Sequence, residues 1–301
     1  MSKDGRVLVF NQEPNAEACR VLLPDLARRG FHGELQQYDG LSSPLWYLAH
    51  DLAIPEAEEH LRILTTMRGP SYHKGSYGRW SLSQLTIPDF VRGYCSKCLL
   101  VRSHEVWGLF REKLLWMSML PLERESLVFQ YEAARGHTVI MGLGMGFLLY
   151  NVLRKPEVTK VTVIEQDREV IEFLDIMADV RSWQGAEKLH IVEADALTWK
   201  PDQLWSPVDV LLVDIWRTFA TEKRIQQIQA NVEADDVSMW GQEIEYMLWR
   251  KVQPENVGII FLDYCEAIDV PLYDPRFTHT TYEALCEEAW TLLRADPRLT
   301  Q

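Results

Sequence analysis

Cysteine is scarce in this chain, and its count does not suit a disulfide framework. Five Cys occur among 301 residues, and an odd number in a long chain argues against paired bridges. Cys95 and Cys98 form the only close pair. A structural zinc site needs about four ligands, and His104 and Cys19 would join the pair only by an accident of folding. We expect two ordinary thiols and no metal, in preference to a zinc site or a redox pair.

Long apolar runs and basic runs are also missing. The longest apolar stretches, such as residues 208–213, are far too short to cross a bilayer, and residues 1–5 lack the apolar segment of a signal peptide. The net charge of −13 comes without any basic run, whereas nucleic-acid-binding proteins usually carry a basic stripe. We expect a cytoplasmic protein that binds neither membranes nor nucleic acid.

The first part of the chain shows mostly helical spacing of its apolar residues. The patterns predict a strand at residues 6–10, helices at 16–29 and 44–68, and a loop at 69–80. Pro55 interrupts the second helical pattern. We therefore expect residues 1–118 to form a mostly helical N-terminal region that caps a site and contributes to substrate binding.

From Thr138 onward, short apolar runs alternate with helical patterns. Strands are predicted at residues 139–141, 160–164, 189–192, 208–213 and 257–262. Helices are predicted at residues 147–154, 168–178, 222–230 and 240–250. This alternation is typical of an α/β fold, a Rossmann-like parallel sheet with helices on both faces. We assign it to residues 119–301, including a C-terminal helix.

A glycine-rich loop and several acidic residues follow the predicted strands. Gly142, Gly144 and Gly146 form G-x-G-x-G after the first strand, which permits a tight turn and close approach of a ligand. Glu165 ends the second strand and Asp195 follows the third. A carboxylate at the first position can accept ribose hydroxyls, and one at the second can accept an adenine amino group. Each feature alone also fits a plain turn or a solvated charge, but together they predict an adenosyl ligand.

Three segments resemble the class I S-adenosylmethionine-dependent methyltransferase superfamily, and most closely its spermidine-synthase-like branch. They are VIMGLGMG at 139–146, KVTVIEQDREVIE at 160–172 and EADAL at 193–197. The resemblance covers about residues 115–262. It implies S-adenosylmethionine as the cofactor, with Gly142, Gly144 and Gly146 beside the methionine moiety, Glu165 on the ribose, and Asp195 with Ala196 on adenine.

The sequence departs from the aminopropyltransferases of that branch at two places. Their glycine loop carries an Asp where this chain has Met145, and their D-S-x-D motif corresponds to Asp214-Ile-Trp-Arg217. Replacing a carboxylate by Arg217 disfavours a dicationic acceptor by roughly several kcal/mol at contact distance. The resemblance implies that Asp214 is catalytic and orients or deprotonates the acceptor, although a helix N-cap is an alternative for it.

Two tryptophans stand near this motif. The aromatic faces of Trp216 and Trp240 suit a cationic sulfonium, so we expect Trp216 to contact the cofactor. Core packing is the alternative for both, and we favour it for Trp240.

These features predict an enzyme that transfers the methyl group of S-adenosylmethionine to a small-molecule nucleophile. Attack on the methionine γ-carbon is the alternative; it would give aminocarboxypropyl or aminopropyl transfer, cyclisation or elimination, with release of methylthioadenosine. A non-catalytic binding subunit is a third reading, which the intact glycines and acids disfavour. The acceptor is not predicted by the sequence, and the oligomeric state is left open, with a homo-oligomer among the options.

Overall fold

The computed structural model describes most of the chain, in eleven stretches. They are residues 5–10, 23–24, 26–32, 34–39, 44–86, 91–100, 105–202, 207–216, 222–253, 258 and 260–295. Within them, no helix has both the length and the apolarity needed to cross a membrane.

The described part of the N-terminal region consists mainly of strands. They are β1 (Arg6–Phe10), β2 (Leu35–Asp39), β3 (Pro44–His50), β4 (Gly75–Tyr77), β5 (Trp80–Thr86), β6 (Val91–Arg92), β7 (Cys98–Leu100), β8 (Glu105–Arg111) and β9 (Leu114–Ser118). Helix α1 (Ile54–Thr65) lies between β3 and β4. The strands form a five-stranded sheet, β2-β3-β1-β7-β6, and a four-stranded antiparallel sheet, β4-β5-β8-β9.

The prediction of a mostly helical N-terminal region is therefore wrong for the described residues. The strand at residues 6–10 is confirmed, but residues 44–50 of the predicted second helix pair with β1 and β2 as a strand. Its leucines satisfy a helical spacing, yet the segment pairs with β2, which ends at Asp39, and with β1. Of the predicted helix at 16–29, only residues 23–24 and 26–28 are described as helical, and residues 16–22 lie outside the described residues.

The second half of the chain contains the Rossmann-like sheet that the sequence predicts. Its strands run parallel in the order β12-β11-β10-β13-β14. They are β10 (Gly136–Met141), β11 (Val158–Glu165), β12 (Leu189–Glu193), β13 (Val208–Val213) and β14 (Ala234–Met239). The order reverses between β10 and β13, and in such sheets ligands bind at this switch point, beyond the carboxyl ends of the strands.

Helices flank this sheet. They are α2 (Pro121–Ser126), α3 (Val128–Ala133), α4 (Phe147–Leu153), α5 (Arg168–Ala178), α6 (Glu222–Gln229), α7 (Gln242–Val252), α8 (Phe261–Ile268) and α9 (Tyr282–Ala295). In α3, Gln130 donates from Nε2 to the carbonyls of Val213 (3.1 Å) and Ser238 (3.0 Å). This side chain fixes the ends of β13 and β14 against the helix that precedes the sheet.

The fifth strand is not the one that the sequence predicts. Of the strand predicted at residues 257–262, residues 257 and 259 lie outside the described residues. Within the rest, α8 begins at Phe261, and Asp263 Oδ2 accepts the N–H of Ile260 at the start of that helix (2.7 Å). The fifth strand is β14 instead. Asp235 and Asp236 interrupt its apolar pattern, so the run lacks the continuous hydrophobicity of a buried parallel strand.

One buried carboxyl group joins distant parts of the chain. Glu243 of α7 is 1% exposed, and it accepts the hydroxyl protons of Tyr94 (3.1 Å) and Tyr282 (3.0 Å). Burial raises the pKa of Glu243 to about 7, although the two tyrosine hydrogen bonds lower it. The contact ties the N-terminal region to α7 and α9. The predicted boundary between residues 118 and 119 stays a prediction.

Candidate functional site

The site is a cavity of about 810 Å³ at the carboxyl ends of the parallel strands. This volume lies in the range of ligand pockets, about 300–1,000 Å³. Of the residues predicted as functional, seven line it: Gly142, Gly144, Glu165, Asp195, Ala196, Asp214 and Trp216. Trp240, for which core packing was favoured, lines it as well and also packs against the core.

The glycine loop makes a tight turn between β10 and α4. Gly142, Gly144 and Gly146 have φ values of 95°, 51° and 72°, a region that side chains rarely adopt. A Cβ at Gly142 would lie 2.1 Å from the carbonyl oxygen of Asp214. A Cβ at Gly146 would meet Leu174 and Trp183 instead. Gly146 therefore serves the packing behind the loop, whereas Gly142 lets β10 and β13 approach at the switch point.

Glu165 connects the glycine loop to the start of α5. Its Oε2 accepts the N–H of Leu143 (2.9 Å), and its Oε1 accepts the N–H of Asp167 (2.8 Å). Burial raises the pKa of Glu165, while these backbone N–H groups lower it. Each carboxylate oxygen retains a second lone pair, so the side chain can also accept hydroxyl groups from a ligand in the cavity.

Asp195 and Ala196 line the cavity beyond β12. Asp195 is exposed, and its Oδ1 accepts the N–H of Leu197 (2.9 Å), whereas Ala196 is buried. The carboxylate of Asp195 keeps its other oxygen available to a donor on a ligand.

Asp214 lies beside the glycine loop at the end of β13. Its backbone N–H donates to the carbonyl of Met141 at 2.9 Å. Burial raises the pKa of this carboxyl to about 7, and among the described residues no group counteracts the shift. An acid that titrates near neutrality can serve as a general base. Arg217, on which the charge argument against a dicationic acceptor depended, lies outside the described residues.

Sequence reasoning missed a second carboxyl group in this cavity, that of Glu123. It lies in α2, and it accepts the backbone N–H of Ser118. Burial raises the pKa of Glu123 to about 8; the hydrogen bonds from Ser118 lower it, and the charge of Asp214 raises it further. No motif marks this residue, because α2 reaches the cavity only through the tertiary fold.

The antiparallel sheet of the N-terminal region covers the glycine loop. A Cβ at Gly144 would lie 2.2 Å from Sδ of Met117 in β9, so this strand packs directly on the loop. Arg111 lies 5.7 Å from the ring centre of Trp80 and 5.6 Å from that of Trp116. Arg79, Trp80, Arg111, Leu115, Trp116 and Met117 all line the cavity.

The close cysteine pair lies away from this cavity. Cys95 and Cys98 are buried free thiols, and burial raises the pKa of both. Among the described residues no three His, Cys, Asp or Glu side chains are grouped to hold a metal ion; Cys19 and His104 lie outside those residues.

Comparisons with known proteins give matches among solved structures. No protein-family model and no curated protein sequence matches the chain. Spermidine synthase from Thermotoga maritima is 16% identical, with 75% of this chain and 73% of that one covered and a TM-score of 0.34. The 23S rRNA methyltransferase ErmE is 16% identical, with 42% and 54% covered and a TM-score of 0.30.

A third similar structure is the N-methyltransferase NodS from Bradyrhizobium japonicum in complex with S-adenosylhomocysteine. It is 14% identical, with 36% of this chain and 53% of that one covered and a TM-score of 0.27. This chain therefore spans about half the length of the two methyltransferases. The parallel sheet, its strand order and the flanking helices show a Rossmann-like α/β fold.

Proposed function

We propose that this chain binds S-adenosylmethionine in the cavity and transfers its methyl group to a small-molecule nucleophile. One observation carries the proposal: the glycine loop, Glu165, Asp195 and Asp214 come from four strand ends and line a single cavity at the switch point of the sheet. This is where open α/β sheets bind their ligands. When bound, the cofactor supplies a sulfonium that is already activated for transfer.

The residues of the cavity fit an adenosyl ligand with an amino-acid tail. Glu165 has free lone pairs beside the loop that can accept ribose hydroxyls. Asp195 and Ala196 follow the neighbouring strand β12 and line the part of the cavity where adenine would bind. Gly142 and Gly144 present backbone without side chains to the methionine moiety. Trp216 and Trp240 offer aromatic faces that attract cations by about 0.5–2 kcal/mol.

Asp214 is the residue that we assign to the nucleophile. Its carboxyl lies at the switch point and has a pKa of about 7, so a substantial fraction is ionised at neutral pH and can take a proton. The antiparallel sheet over the glycine loop would keep water from the reacting atoms, a condition that limits competing hydrolysis.

Attack on the methionine γ-carbon is the second candidate, and Glu123 favours it. Arg217, which disfavours a dicationic acceptor, lies outside the described residues, whereas Glu123 adds a carboxyl group to the same cavity as Asp214. Two carboxyl groups are what a diamine acceptor would require.

A non-catalytic subunit is disfavoured because a group titrating near 7 lies in the cavity.

Analysis of the thioether product separates these functions. The purified chain is incubated with S-adenosylmethionine, first alone and then with a metabolite extract, and the products are resolved by chromatography and mass spectrometry. We expect S-adenosylhomocysteine that depends on the extract. Enzyme-dependent methylthioadenosine without an added acceptor would replace methyl transfer by cyclisation or elimination, and methylthioadenosine only with the extract would indicate transfer from the γ-carbon.

A further inference from the structure

We propose that Glu123 is a second acid–base residue of the cavity, and that it and Asp214 form a pair whose protonation is set by the charge of the bound cofactor. This inference rests on the proposed function, because it requires a cationic sulfonium in the cavity. It assigns a role to a side chain that no motif singles out.

A chain of contacts brings the two carboxyl groups to one wall of the cavity. Glu123 and Ser126 are three residues apart in α2 and lie on the same side of the helix. The Oγ of Ser126 accepts the indole N–H of Trp240 (2.8 Å), and the carbonyl of Trp240 accepts the indole N–H of Trp216 (3.4 Å). Trp216 is two residues from Asp214. Glu123, Trp240, Trp216 and Asp214 all line the cavity.

The backbone fixes both residues in place. The N–H of Ser118 donates to Glu123, which holds its carboxyl at the junction between β9 and α2. The N–H of Trp240 donates to the carbonyl of Val213 (2.8 Å), immediately before Asp214. Neither carboxyl forms an ion pair with any residue that the structure describes.

Among the described residues, the basic side chains of the cavity lie against other groups than these two carboxyls. Its basic side chains come from the antiparallel sheet: Arg79 forms ion pairs with Asp167 (3.1 Å) and Glu169 (3.2 Å), and Arg111 lies against two indole rings. The other charged groups that line it among the described residues are Glu165, Asp167 and Asp195. A cation bound in the cavity would therefore favour the ionised form of the Glu123–Asp214 pair.

The consequence is a coupling between binding and protonation. Burial raises the pKa of Asp214 to about 7 and that of Glu123 to about 8, so near neutral pH the empty pair is partly protonated. A cationic ligand favours release of this bound proton to solvent. The ionised pair can then take a proton from the nucleophile: one N–H or O–H bond breaks, one carboxyl O–H bond forms, and the nucleophile keeps the electron pair.

Calorimetry in two buffers of different ionisation enthalpy measures this proton directly. S-adenosylmethionine and S-adenosylhomocysteine differ by the positive charge on sulfur, so we expect the wild type to release more protons with the first compound at pH 7.5, by up to about one. In Glu123→Gln this difference in proton release between the two compounds should fall by half or more, because Gln keeps an acceptor for the N–H of Ser118 and does not ionise. The matched control is Glu243→Gln, which removes a buried carboxyl of similar pKa outside the cavity; its excess should equal that of the wild type.

If the wild type and Glu123→Gln release equally more protons with S-adenosylmethionine than with S-adenosylhomocysteine, the proposal that Glu123 and Asp214 act as a pair is overturned. If Glu123→Gln does not fold, the pH dependence in the wild type decides the matter: affinity for S-adenosylmethionine should rise from pH 6 to 8.5 more steeply than that for S-adenosylhomocysteine, and parallel profiles would overturn the inference. If the wild type binds neither compound, the proposed function itself fails and the role of the pair fails with it.

Discussion

Glu165 supports the backbone around the cavity and is also the residue that we propose to bind the ribose. Its two oxygens accept backbone N–H groups from the glycine loop and from the start of α5, and the residue lines the cavity. Truncation therefore removes a support of the loop as well as the proposed acceptor of the ribose hydroxyls.

We predict that Glu165→Ala weakens binding of S-adenosylmethionine by about 1.5–3 kcal/mol, the value of hydrogen bonds to a charged group. Isothermal titration calorimetry measures the affinity, and thermal denaturation reports any loss of fold. Glu193→Ala is the control, because Glu193 is the exposed neighbour of Glu165 in the β11–β12 register and does not line the cavity. Equal affinities in the Glu165 and Glu193 variants would remove Glu165 from the site.

Asp214→Asn should lower turnover by about 10²–10⁴-fold with little change in cofactor affinity, since its proposed partner is the nucleophile. The measurement is product formation under the conditions that give the thioether. Asp209→Asn tests the specificity of the effect: Asp209 lies at the other end of β13 and accepts the N–H of His137 (2.6 Å), so this variant should retain activity. Full turnover by Asp214→Asn would show that the carboxyl is dispensable.

At this scale the sequence predicts residues that follow apolar strands and fails for those placed by tertiary structure. Gly142, Glu165, Asp195 and Asp214 could be assigned to the cavity edge because parallel strands end on one side. Glu123 could not, because α2 is a short helix whose position depends on Trp240 and Ser118.

At the scale of elements, the turn between β10 and α4 is the least tolerant segment of the site. Gly142 combines a φ of 95° with a carbonyl oxygen 2.1 Å from any added Cβ, and that oxygen belongs to the backbone of Asp214, which cannot rotate away. The ends of β10 and β13 would have to separate.

We therefore predict that Gly142→Ala lowers the melting temperature more than Gly30→Ala and also weakens cofactor binding. Gly30 has a similar φ of 91° with nothing within 4 Å of an added Cβ, so its substitution isolates backbone strain, about 1–2 kcal/mol. Thermal denaturation and calorimetry of both variants give the comparison. Similar melting temperatures would mean that the backbone yields at the switch point.

Strand prediction succeeds where the apolar run is continuous and fails where pairing decides. β13 is nearly continuous in Val and Leu, and β11 is rich in β-branched residues; both are largely buried, so their sequences suffice. β14 contains two Asp and was missed, while the apolar residues 257–262 predicted a strand, although α8 begins at Phe261. Residues 44–50 of the predicted second helix form β3, because they pair with β1 and β2, and the helical spacing of their leucines does not reveal this pairing.

At the scale of the whole molecule, buried carboxyl groups give stability a dependence on pH. Burial raises the pKa of Asp214 and of Glu243 to about 7 and that of Glu123 to about 8, whereas the unfolded values lie near 4. A raised folded pKa means that the folded state holds protons that the unfolded state has lost. The stability from these groups is fully present below about pH 4 and is lost as pH rises through 7 to 8.

We predict that Glu243→Gln reduces the fall in melting temperature between pH 5.5 and 8.5, because the substituted side chain has no proton to lose. Comparison with the wild type cancels the contribution of all other groups. Glu187→Gln, at an exposed position, should leave the slope of the wild type unchanged. A slope in Glu243→Gln as steep as in the wild type would mean that Glu243 titrates alike in the folded and unfolded states.

The contact of Glu243 with Tyr94 and Tyr282 also constrains the order of events during synthesis. Tyr94 leaves the ribosome 149 residues before its hydrogen-bond partner, and Tyr282 follows 39 residues after Glu243. The N-terminal strands therefore emerge long before the group that completes their burial exists. A nascent chain arrested after β14 should keep Tyr94 accessible to protease and to quenchers, and the region should become protected only once α9 has emerged.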